Sequence, residues 1–145
     1  MTQTTRHQDP SIAQGLLLRC DEGMIVLGLP GTDYQLRLQS ATSVEGPLNE
    51  KITGRVHARA KRVDVVRTGG RFIEPVYGRP RRLQGRIVAV HPQDNAITVH
   101  CGCPFICELT MNQKATDFTV GLLVGFDVER GAVFEQVKLD PPPPE

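Results

Sequence analysis

The chain has no tryptophan, and only five phenylalanines and two tyrosines among its 145 residues. Several of those rings must fill a core, so few remain for stacking on a ligand. No apolar run reaches the length that crosses a bilayer. Met1 to Ser11 is polar, carries Arg6 and Asp9, and lacks the apolar centre of a secretory signal. These absences predict a cytoplasmic protein with no membrane partner. Four cysteines without a signal read as thiols rather than as a disulfide framework.

Catalytic patterns are also missing. His7, His57, His91 and His100 show no local arrangement that would activate Ser11, Ser40 or Ser43 as a nucleophile. The glycine-containing turns do not precede helices, so no phosphate-cradling loop is indicated. Neither half shows sustained helical periodicity. The expectation is a non-enzymatic protein without a cofactor.

What is present is a pattern that recurs. Gly15-Leu-Leu-Leu-Arg-Cys-Asp-Glu-Gly-Met-Ile-Val-Leu aligns with Gly85-Arg-Ile-Val-Ala-Val-His-Pro-Gln-Asp-Asn-Ala-Ile-Thr-Val. A turn follows each, and then Tyr34-Gln-Leu-Arg-Leu-Gln aligns with Phe105-Ile-Cys-Glu-Leu-Thr. Short alternating strands repeated at about 55–70 residues predict two small β-barrels in tandem. Five strands per copy, with the longest connection between the third and fourth, fit an OB-like Greek-key barrel. An SH3-like barrel is the alternative.

The predicted organisation is a disordered tail at 1–12, module one at 13–79, module two at 80–139 and a proline-rich tail at 140–145. Barrels this small bury little surface individually, which predicts that the two share an interface. In this alignment Tyr34 lies over Phe105, Leu36 over Cys107 and Leu38 over Leu109. Strand four resists the alignment. Matching Gly54 to Gly121 would turn Arg55, His57, Arg59 and Lys61 inward, and a core face cannot be cationic. A one-residue slip places Val56, Ala58 and Ala60 inward instead.

Charge is uneven along the chain. Residues 51–86 hold eleven Lys and Arg against Asp64 and Glu74, a net +9, while 1–50 carry −3 and 87–145 carry −5. Alternation places Arg55, His57, Arg59 and Lys61 on one strand face, with Arg67, Arg71, Arg81 and Arg82 following and Phe72 and Tyr77 interleaved. Arg62, Arg79 and Arg86 add to the same stretch. A cationic strip beside aromatic rings suits a single strand of RNA or DNA, whose backbone follows the charge while bases stack on rings. The same strip also fits a solvated sheet face, a protein partner, or self-association between basic and acidic regions.

His100-Cys101-Gly-Cys103-Pro-Phe-Ile-Cys107 places three thiols within seven residues. Zinc sites usually use pairs of the Cys-x2-Cys kind, and these spacings differ. The alignment sets Cys107 and Cys20 at inward positions, which predicts passive thiols and no metal. Cys103, in the turn, is expected to be the most exposed. Module two would then be structural or partner-binding.

Overall fold

The computed structural model describes residues 9–138. Expectations for residues 1–8 and for the proline tail lie outside the described residues. Twelve strands carry the fold: β1 (Ala13–Asp21), β2 (Met24–Gly28), β3 (Gln35–Ser40), β4 (Lys51–Arg59), β5 (Asp64–Val65), β6 (Phe72–Glu74), β7 (Tyr77–Gly78), β8 (Arg82–His91), β9 (Ala96–His100), β10 (Pro104–Glu108), β11 (Leu123–Asp127) and β12 (Val133–Gln136). Single turns of 3-10 helix stand at Pro92–Asp94 and Ala115–Asp117. No helix among the described residues is long and apolar enough to cross a membrane.

The protein is all-β, built on a closed five-stranded barrel with further strands attached. β1 pairs with β2, β2 with β3, β3 with β12, β12 with β4, and β4 returns to β1. Past β1, the same edge of β4 continues the sheet through β10, β9, β8 and β11. An isolated bridge between Ala60 and Val128 brings that end of the sheet back to the end of β4.

β4 is long enough to serve both regions. Lys51 to Gly54 pair with β1, while His57 to Arg59 pair with β10. Its inward residues Ile52, Gly54, Val56 and Ala58, with Ala60 beyond, are all buried. The slipped register is therefore the one adopted, and Arg55, His57 and Arg59 point outward.

The strands do not segregate by sequence half. β12, expected to pack with residues 80–139, runs parallel to β3 and antiparallel to β4. The cause is local. Gly54 has no side chain, and the Phe134 ring occupies the space beside it; a Cβ there would meet that ring and the Glu135 carbonyl. Phe134 is fully buried. Burying such a ring contributes about 1.5–3 kcal/mol.

The two three-stranded meanders pair alike. Each has a register shift in its first strand, between Leu17 and Arg19 in β1 and between Ile87 and Ala89 in β8. Leu17 faces Leu27, which faces Leu36; Ile87 faces Val99, which faces Phe105. Ladder pairing thus sets Leu36, not Tyr34, in the place of Phe105, and Leu38 in that of Cys107. The sequence alignment of the third strand is corrected by two residues. Tyr34 instead lies half-buried against the core, where its hydroxyl accepts a hydrogen bond from the Ile73 amide at 3.2 Å.

Residues 9–12, expected in the tail, are folded onto the sheet. The Ser11 amide donates to the Asp9 carboxylate at 2.9 Å, and Ser11 is buried. Its hydroxyl lies 2.8 Å from that of Thr98, which is 2.7 Å from His91 Nε2. Thr98 is a wholly buried polar side chain, and these two partners satisfy it.

Candidate nucleic-acid interface

The outward face of β4 was the expected site. Arg55, His57 and Arg59 share it, and each meets an acid from a distant part of the chain, whereas Lys61, expected beside them, lies past the end of the strand and lines a different hollow. Arg55 reaches Asp9 at 3.3 Å, His57 reaches Glu135 on β12 at 2.9 Å, and Arg59 reaches Glu108 on β10 at 3.6 Å. Glu135 stands opposite Arg55 in the ladder, and Glu108 stands opposite Arg59. These exposed or half-exposed pairs contribute little to stability, about 0–1 kcal/mol each. They do cancel the local field. The face forms one side of a cleft of about 920 Å³ that Asp94, Glu108, Glu129 and Asp9 line together with the arginines. A phosphate entering it would have to displace carboxylates.

A second region behaves differently. β7 lies parallel to β3, with Tyr77 opposite Gln35 and Gly78 opposite Leu36. This pairing sets Arg37, outward on β3 between buried Leu36 and Leu38, beside the loop that follows β7. Arg37, Arg79 and Arg81 line a hollow of about 620 Å³ with Tyr77, Met24 and Pro75, and no carboxylate lines it. Tyr77 is 66% exposed, so its ring is open to a flat partner. Among the described residues none of these three arginines forms an ion pair.

The segment that bears Tyr77 is held at both ends by the main chain. The Gln35 amide donates to the Val76 carbonyl at 2.9 Å, and the Arg81 amide donates to the Glu74 carbonyl at 2.8 Å. The Val128 amide donates to the Arg81 carbonyl at 2.8 Å. Its charges therefore sit on anchored backbone. Beyond it a further hollow of about 900 Å³ is lined by Lys61, Arg79, Arg81, Arg82 and Arg130 with Glu74, Asp127 and Glu129. There Arg82 is held by Asp127 at 3.0 Å.

The expected site residues therefore divide. Arg55, His57 and Arg59 face the cleft, and Tyr77 and Arg81 line the carboxylate-free hollow. Lys61, Arg81 and Arg82 line the hollow beyond it. Arg67, Arg71 and Phe72 line none of these. Phe72 is half-buried on β6, and Arg71 donates to Nδ1 of His100 at 3.1 Å. Burial, and then the nearby Arg71 guanidinium, push the His100 imidazole below its ordinary range. Arg37 is the residue the sequence reading missed. Alternation on β3 turns it outward, but nothing local in sequence pairs β3 with β7.

The cysteines occupy the core. Cys101, Cys103 and Cys107 are buried and Cys20 is exposed, which reverses the expectations for Cys103 and Cys20. The turn that carries Cys103 is covered by Leu29, Tyr34 and Ile73, the side chains nearest Gly102. Cys20 pairs with Ile25 near the end of β1, and its thiol donates to the Val44 carbonyl at 3.9 Å. Burial pushes the Cys103 thiol up to about 12, and raises those of Cys101 and Cys107 as well. The thiolate is the metal-binding and nucleophilic form, and this burial disfavours it. Among the described residues no three His, Cys, Asp or Glu side chains are arranged to hold a metal.

No known family model matches the sequence, and no curated protein is significantly similar to it.

Proposed function

We propose that the protein is a non-enzymatic binder of RNA or single-stranded DNA, and that it binds through the Tyr77 hollow rather than through the β4 face. The observation that carries this reading is the hollow itself: Arg37, Arg79 and Arg81 converge beside an exposed tyrosine with no carboxylate among them. Guanidinium groups suit bidentate phosphate contacts, and a tyrosine face stacks on any base. The sequence-tolerant chemistry of single-strand binding needs these two elements together. The finer architectural reading, two repeated OB-like units, is part of the same proposal, with β12 belonging to the first unit rather than closing the second. The matched positions of the β1 and β8 register shifts support it, as does the matched pairing of the two meanders.

The test is anisotropy with a labelled single-stranded RNA and its DNA counterpart over a range of salt. Binding is expected to weaken linearly on a log–log plot, with a slope of about −2 if three phosphates are neutralised at about −0.7 each. Changing Arg37, Arg79 and Arg81 together to Gln should flatten the slope by about 2. Tyr77→Ala should weaken binding by about 1–3 kcal/mol with little change in slope, because it removes stacking and no charge. No binding at low salt, or full binding by the triple variant, would reject the reading. Altered oligomer size in that variant, with nucleic-acid binding intact, would favour a protein-interaction role.

A further inference from the structure

The Tyr77 hollow and the hollow beyond it are two sides of one ridge. They share Pro75, Arg79 and Arg81. Successive residues on the ridge face opposite ways: Tyr77 lines the first hollow and exposed Val76 lines the second. The two sides differ in charge. The first has three arginines and no acid, whereas the second has five cations against three carboxylates. Both are therefore net positive, and Arg79 and Arg81 are common to both. Main-chain hydrogen bonds at each end of the segment fix the ridge before any ligand arrives.

We infer that one continuous strand crosses this ridge, so that the ligand is an oligonucleotide of about four or more nucleotides, at the short end of single-strand sites. This inference rests on the reading of the Tyr77 hollow as a nucleic-acid site. A base stacks on Tyr77 in the first hollow. The backbone passes over Arg79 and Arg81, and the next phosphates reach Lys61 and Arg130 in the second. A free phosphate or a mononucleotide would occupy the first side alone and gain nothing from the second. The carboxylates of the second hollow make it the weaker half, so it extends binding that the first half begins.

The experiment measures the affinity of the full chain for oligothymidylates of increasing length, from dinucleotide to tetranucleotide to octanucleotide, at low salt. The tetranucleotide is expected to bind at least about tenfold tighter than the dinucleotide, consistent with one added base or phosphate contact. In the Lys61→Gln/Arg130→Gln double variant that ratio should fall to about one. Equal affinity of the wild-type protein for every length would overturn the inference while leaving the hollow a nucleotide site. So would an unchanged ratio in the double variant. No binding of any length would overturn the underlying reading and this inference with it.

Discussion

β4 and the segment around Tyr77 are both rich in arginine, and the fold treats them in opposite ways. On β4 the cations are spaced along an inner strand of the sheet, with neighbours on both sides. Those neighbours, β12 and β10, place Glu135 opposite Arg55 and Glu108 opposite Arg59, and the folded-down Asp9 completes the set. The Tyr77 segment pairs only with β3, whose outward residue nearby is Arg37. A sheet supplies cross-strand partners as a matter of geometry, and opposite charges there are favoured. A loop held by its backbone has no such obligation. The number of cations on an element therefore says less about its field than the number of strands beside it.

The comparison can be broken most severely through Phe134. If β12 is what closes the barrel and delivers Glu135 to β4, Phe134→Ala should cost about 3–5 kcal/mol in denaturant unfolding. The triple change of Arg37, Arg79 and Arg81 to Gln should leave stability within about 0.5 kcal/mol. Similar losses from the two would mean that the arginine hollow is structural.

The carboxylates allow a sharper test of the cancelled field. Changing Glu108 and Glu135 together to Gln uncovers Arg59 and His57 without removing a cation. Nucleic-acid binding should then strengthen, and its salt dependence should steepen by about 0.7 for each added phosphate contact. Stability should change by about 0–1 kcal/mol per pair. Unchanged binding would show that the β4 face is silent for a reason other than its acids.

Arg71 offers the smallest effect, because its partner is neither an acid nor open solvent. It donates to neutral His100, whose folded pKa lies below the ordinary value near 6.5. Between the folded value and about 6.5 the unfolded chain binds more protons, so stability rises with pH through that window. Below the folded value the contribution is lost. Thermal unfolding followed across this range should show the slope in the wild-type protein and a shallower one in His100→Gln.

How much of this was legible in the sequence follows from the range of each cause. The alternation of Ile52, Gly54, Val56 and Ala58 announces β4 and its inward face, because a strand's period is local. The turn at Asp21-Glu-Gly between β1 and β2 is local as well. The register shift after Leu17 is not, and it lies just ahead of Cys20. The acids that neutralise β4 lie 46 residues from Arg55 and 78 from His57. The parallel pairings β3–β12, β3–β7 and β4–β10 leave no local trace at all. The basic strip could therefore be read, but its neutralisation could not. Tyr77 and Arg81 were visible as candidates, while Arg37 became one only through β7.

The placement of β12 also sets an order of events for the growing chain. The barrel that begins with β1 is completed by Val133–Gln136, which leaves the ribosome after everything that lies between. Until then β3 and β4 have no strand between them, and each presents an open edge to other chains. Residues 13–59 thus cannot complete this barrel until β12 has emerged. Such distant pairing slows folding. A nascent chain of this protein would depend on β12 to hide edges that its first strands have already exposed.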